Sequence, residues 1–164
     1  MIQPPNDTRS FQSLVQVIEA LRGPNGCPWD KKQTHQTLVR YALEEAFEYA
    51  ESVDAQNHEL MKEELGDLLL QVVLNSVVAK QEGLFELEDV IQSIVEKMVR
   101  RHPHVFSDAE AESEEDVKKN WEQIKAEEKP KNSFGFNLPA QLPALLAALK
   151  IGEKTKKVGF DWPS

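Results

Sequence analysis

Leu68-Leu69-Leu70-Gln71-Val72-Val73-Leu74-Asn75-Ser76-Val77-Val78-Ala79 is the stretch on which the fold turns. Read as a helix it is apolar on nearly every side, so most of its circumference should be buried. One narrow polar stripe runs through it, because Glu64, Asp67, Gln71 and Asn75 recur three or four residues apart and share a face. The run is interrupted by Gln71, Asn75 and Ser76 and is too short to span a bilayer. It is therefore expected to be the central helix of a domain, with its neighbours packed around it.

Working outward, this helix should open near Asn57, run to about Gln81 and end at Gly83 in the C-cap position. Before it, Phe11 to Leu21 has helical apolar spacing and is stopped by Gly23-Pro24-Asn25-Gly26. A loop, Cys27-Pro28-Trp29-Asp30, then leads to a long helix from Thr34 to about Val53. After it, Leu87 to Arg101 carries Val90, Ile91, Ile94, Val95 and Met98 on one face and is halted by Pro103. Glu114 to Glu127 forms a further helix, and Leu142 to Ile151 a short last one. No segment alternates with a period of two, so the expected fold is all-α, an antiparallel helical bundle. The domain plan is a helical catalytic domain over 1–128, a linker over 129–143 rich in Pro, Asn, Gly and Phe, and a short helix and tail over 144–164.

The net charge of −9 argues against a polymeric nucleic-acid partner, which needs a basic face. A single cysteine, Cys27, makes no intramolecular disulfide and fits a reducing cytoplasm. Neither a signal peptide nor a membrane segment is evident.

Two acidic clusters carry the chemistry. Glu44-Glu45-Ala46-Phe47-Glu48 and Glu64-Leu65-Gly66-Asp67 each lie on a helix, and side by side those helices would bring four or five carboxylates together. Such a cluster repels itself unless protons or cations neutralise it. Hard divalent ions take all-oxygen ligation of this kind, with water and substrate phosphates completing the shell. The first motif alone also suits an ordinary solvated face, since Glu44, Glu48 and Glu51 lie opposite Leu43, Ala46, Phe47 and Ala50. The second cluster borders a buried helix, where carboxylates are costly unless paired or ligating. Gly66 beside it would let a backbone or ligand approach closely.

Taken in order, Gly26-Cys27-Pro28-Trp29-Asp30, Glu44-Glu45-x-x-Glu48, Glu64-Leu65-Gly66-Asp67, Arg100-Arg101-His102-Pro103-His104-Val105-Phe106 and Trp121-Glu122-Gln123-Ile124-Lys125 resemble a MazG-type nucleoside triphosphate pyrophosphohydrolase. The resemblance covers almost the whole chain. It implies an all-α protein of the NTP pyrophosphatase superfamily that assembles as a homodimer or larger and splits NTPs or dNTPs into NMP and pyrophosphate. It implies that Glu45, Glu48, Glu64 and Asp67 ligate Mg²⁺, with Mn²⁺ as the alternative ion. Glu44 would be a near neighbour or water-orienting group, completing a catalytic set of Glu44, Glu45 and Glu48. Lys97 and Arg101, four apart on one helix, would meet the phosphates, and Trp121 and Lys125 the base or sugar and phosphate. The chain resembles the first domain of two-domain members, and Lys154 to Trp162 echoes the start of a second domain that is not there. In some two-domain members the first domain is the less active copy, but the complete acidic set here points to activity.

Each of these residues has a plainer reading. Lys97 and Arg101 suit a helix C-terminus, where cations are stabilised. Trp121 suits a helix core, and Trp29 either closes over the site or plugs helix ends. His35 suits a cap or the surface. His102 and His104 have a zinc-chelating spacing, but no Cys or third His stands near. The competing functions are a narrower dUTPase-like or phosphoribosyl-ATP-like pyrophosphohydrolase, and a non-catalytic helical dimerisation or regulatory module.

Overall fold

The computed structural model describes residues 2–128, 138–157 and 159–160. All regular structure among them is helical: α1 (Phe11–Arg22), α2 (Pro28–Lys31), α3 (His35–Asp54), α4 (His58–Gln81), α5 (Leu87–Arg101), α6 (Pro103–Phe106), α7 (Glu114–Glu127) and α8 (Ala144–Lys157). Two compact units result, one ending at Met98 and one beginning at Val99. Most of the expected linker, 129–137, and the Asp161-Trp162 echo lie outside the described residues.

The helix limits follow from local chemistry. Thr34 caps α3 in a reciprocal box with Thr37, each backbone N–H donating to the other residue's hydroxyl. At the far end of α3 the chain reverses through Ala55-Gln56-Asn57. Asn57 N–H donates to the Ser52 carbonyl and Gln56 N–H to that of Val53, closing a Schellman turn with Gln56 at φ 53°. The Asn57 side chain at once accepts from Leu60 N–H and starts α4. So short a reversal sets α3 and α4 antiparallel, and these are the most extensively packed pair in the unit. Gly83, at φ 69°, ends the α4 turn as expected.

The core of the first unit is Ile18, Leu38, Val73, Leu74, Val77, Val78 and Leu87, with Leu14, Val15, Tyr41 and Leu70 against it. The C-terminal half of α4 is thus the centre of the unit, as its composition requires. Its stretch from Glu64 to Val72 departs from expectation. Glu64 and Gln71 of the polar stripe are buried, whereas Leu65, Leu69 and Val72 are exposed, Leu69 at 42%. The helix turns its polar stripe inward, and part of its apolar circumference is left uncovered.

Three further points differ. The Cys27–Asp30 loop winds into the single turn α2, because Pro28 supplies the fixed φ of a first helical position. Pro103 ends α5 but opens α6 for the same reason. The last helix starts at Ala144 and continues past Ile151 to Lys157, Gly152 notwithstanding. Arg22 holds α2 in place, donating to the carbonyls of Asp30 and Gln33 and to the Gln81 side chain.

Candidate metal centre

The antiparallel α3–α4 pair brings the two acidic motifs together. Glu45 and Glu48, three apart on α3, meet Glu64 of α4, and one carboxylate oxygen from each lies within 4.8 Å of the others. Glu64 is buried at 7% exposure, Glu45 half-buried and Glu48 exposed. The cluster is therefore open to solvent on the Glu48 side and closed on the Glu64 side.

Its electrostatics are those of an uncompensated anion group. Burial raises the Glu45 carboxyl above its ordinary value, and Asp67, Glu48 and Glu64 push it further up. Glu64 is raised by burial and then by Glu48, Asp67 and Glu63. Asp67, half-buried one turn on from Glu64, thus acts on both residues although it lies outside the three that converge. Three oxygens at this spacing, short of countercharge, fit a hard divalent cation by their donor chemistry alone.

The other expected site residues fall out differently. Glu44 is exposed and faces Arg40 at 4.0 Å, on the solvated side of α3. Lys97 is half-buried. In the second unit Arg101 forms a forked ion pair with Glu128, which Arg100 also reaches at 2.7 Å. The Arg101 guanidinium sits 5.0 Å above the Trp121 ring, whose other neighbour is His102 at 5.1 Å. Lys125 pairs with Glu122 at 3.4 Å. Gly66 has nothing among the described residues within 4 Å of where a side chain would start, so none of them exploits its smallness. The glycine that is needed is Gly26, where a Cβ would sit 2.1 Å from the Leu21 carbonyl oxygen.

Two more residues lie near the cluster: Tyr41, which no motif singles out, and Gln71, a member of the polar stripe. Tyr41 lies one turn before Glu45 and packs edge-on against Trp29 at 6.0 Å. Gln71 lies one turn beyond Asp67 and is buried. Their signal was the helical spacing from the acidic residues. His35 is neither cap nor surface: its Nδ1 meets Asn75 Oδ1 at 2.9 Å, joining the start of α3 to α4.

Fold and cluster together define an all-helical protein with a carboxylate centre of the kind that receives a divalent ion. Residues 33–106 match the MazG nucleotide pyrophosphohydrolase domain. The nucleoside triphosphate pyrophosphohydrolase/pyrophosphatase MazG of Thermotoga maritima is 48% identical over 154 residues, which are 93% of this chain and 59% of that protein. The nucleoside triphosphate pyrophosphohydrolase of Escherichia coli K12 is 44% identical over 153 residues, 91% of this chain and 58% of that one. The crystal structure of a mazG-related protein from Thermotoga maritima superposes with a TM-score of 0.60 at 34% identity, covering 70% of this chain and 98% of that structure. The chain belongs to the MazG family. It spans less than three-fifths of the length of the two pyrophosphohydrolases named.

Proposed function

We propose that this chain is a divalent-metal-dependent nucleoside triphosphate pyrophosphohydrolase, converting NTPs or dNTPs and water to NMP and pyrophosphate. The observation that carries the reading is the convergence of Glu45, Glu48 and Glu64 on one point. These three would hold Mg²⁺ or Mn²⁺, with Asp67 completing the set. Such an ion neutralises charge on the phosphoryl oxygens and makes water a better nucleophile. Glu48, the exposed member, is the carboxylate best placed to take the proton of the attacking water. Water oxygen joins phosphorus as the bridge between the α and β phosphates breaks. Glu44, turned towards Arg40, is left out of the ligand set.

The triphosphate needs cations that an acidic chain must supply locally. Lys97, Arg101 and Lys125 are assigned that role, with Trp121 beside the base or sugar. Arg101 already holds a carboxylate in forked geometry, the geometry by which arginine takes a phosphate.

Self-association belongs to the same reading. Ile91, Ile94 and Val95 on α5, Leu65, Leu69 and Val72 on α4, and Val39, Leu43 and Phe47 on α3 are exposed at same-face helical spacing. Exposed apolar strips of this kind suit an interface, and a second copy of the chain, giving a homodimer or larger, is the occupant proposed. A nucleotide substrate and a lone cysteine suit the cytoplasm.

The test is pyrophosphate release from a panel of NTPs and dNTPs with Mg²⁺, with and without EDTA. Metal-dependent formation of NMP and pyrophosphate is expected. A folded protein that releases none from any nucleotide would overturn the reading in favour of a non-catalytic helical module.

A further inference from the structure

In the second unit, two of the cations assigned to the substrate's phosphates already hold carboxylates of the chain itself, Arg101 with Glu128 and Lys125 with Glu122. The first of these is a full engagement. Arg101 Nε–H and Nη2–H both donate to the Glu128 carboxylate, and Arg100 Nε–H reaches the same group at 2.7 Å. The Trp121 ring covers one face of the Arg101 guanidinium at 5.0 Å, and only 15% of the Arg101 side chain stays exposed. Trp121, Lys125 and Glu128 follow one another at helical spacing and share a face, so the carboxylate stands in line with two residues assigned to the nucleotide.

The helix itself gives Glu128 no reason to be there. It is the C-cap of α7, where the negative pole of the helix disfavours a carboxylate. What holds it is the pair of guanidinium groups, which keep its carboxyl at about 2 and hence charged at neutral pH. Arginine takes a carboxylate and a phosphate in the same forked geometry.

We propose that Glu128 is an intramolecular competitor of the substrate's phosphates, filling the Arg101 fork until a polyphosphate displaces it and so setting the affinity and charge selectivity of the site. The inference rests on the assignment of Arg101 to phosphate in the pyrophosphohydrolase reading. One fork serves one anion at a time, so the apparent affinity for phosphate is reduced by the fraction of time the fork is open. A polyphosphate wins the exchange because it brings several negative charges against one and offers oxygens to Arg100 as well. A singly charged anion has no such advantage over Glu128, which is tethered beside the fork and needs no encounter from solution.

The test is metal-free and independent of turnover. Tripolyphosphate is titrated, with EDTA present, into ¹⁵N-labelled full-length protein while the Arg101 Nε–H and Trp121 indole signals are followed, with acetate as the control. Tripolyphosphate should move both signals and acetate neither. Glu128→Gln keeps the size and removes the charge, whereas Glu128→Asp keeps the charge and is one methylene short of the fork. Both should saturate at lower tripolyphosphate than wild type, Glu128→Gln at about a tenfold lower concentration, which corresponds to a fork closed about nine-tenths of the time. Each variant is compared while folded, as its own spectrum reports, so either decides alone. Loss of a merely structural ion pair would not tighten binding. Saturation at the wild-type concentration or above would overturn the proposal and make Glu128 a support for Arg101, even if NTPs are hydrolysed. An Arg101 signal that tripolyphosphate leaves unmoved in all three proteins would overturn it too. Tighter binding in the variants of a protein that hydrolyses no nucleotide would sink the enzyme reading alone.

Discussion

Two glycines show how much a single residue decides here. Gly26 follows the α1 stop, and a methyl group there would meet the Leu21 and Ala20 carbonyl oxygens at 2.1 and 2.4 Å. No rotamer relieves a clash with backbone, so Gly26→Ala should destabilise the protein by about 1–3 kcal/mol, read from urea unfolding. Gly66 lies inside α4 with open space around it. Gly66→Ala should stabilise by up to about 1 kcal/mol through helix propensity. From spacing alone the importance falls on Gly66, because it sits between Glu64 and Asp67. Only the path of the backbone reveals that Gly26 is the one without room. The same holds for the acidic residues. That Glu45, Glu48 and Glu64 meet was legible in their period, whereas Glu44, expected as a near neighbour or water-orienting group, is exposed and faces Arg40. That Asp67 stands aside from the three converging oxygens depends on how α4 is rotated against α3.

At the scale of elements, the α3–α4 hairpin makes the site, and its turn carries visible strain. Gln56 occupies the left-handed position that glycine fills in most such turns. Gln56→Gly should therefore raise stability by roughly 0.5–1 kcal/mol, the relief of strain exceeding the entropy cost of glycine. A gain in melting temperature without change in the ligand set is the expected result. Helix ends were legible because caps are local: Thr34, Asn57 and Gly83 all act where their side chains or dihedrals direct. The short helices α2 and α6 were not, since Pro28 and Pro103 signal a stop and a start alike.

Within the second unit, Glu128 links the end of α7 to the last turn of α5. The Arg101 and Arg100 guanidinium groups hold its carboxyl at about 2, against an ordinary 4.5. A depressed carboxylate stabilises the fold fully above its unfolded value and loses that contribution as pH falls through the folded one. Wild type should thus exceed Glu128→Gln in melting temperature at pH 6. The gap should narrow between pH 4.5 and about 2 and close below. A gap that stays constant with pH would show that the pair adds nothing to stability.

For the whole molecule, the exposed apolar strips on α3, α4 and α5 are the largest departure from what one chain can satisfy alone. They include the inverted face of α4, where Leu65, Leu69 and Val72 face outward while Glu64 and Gln71 are buried. Sequence composition requires only that such a helix be covered; it does not say by what. Light scattering should show a dimer or larger, and Ile94→Glu should shift it towards monomer. A wild-type monomer would contradict this. The reading of an acidic protein that handles an anionic substrate also stands at this scale. On the proposed reading, the net charge of −9 would be offset for a triphosphate by a divalent cation held at Glu45, Glu48 and Glu64, the bridge between the two.

The most direct test of that bridge is Mn²⁺ binding and NTP turnover measured on the same samples of wild type and Glu48→Ala. The variant changes an exposed side chain and should remain folded. The account predicts that wild type binds Mn²⁺ and releases pyrophosphate, and that both fall together in the variant. A folded Glu48→Ala protein that binds Mn²⁺ and turns over NTPs as wild type does would contradict it.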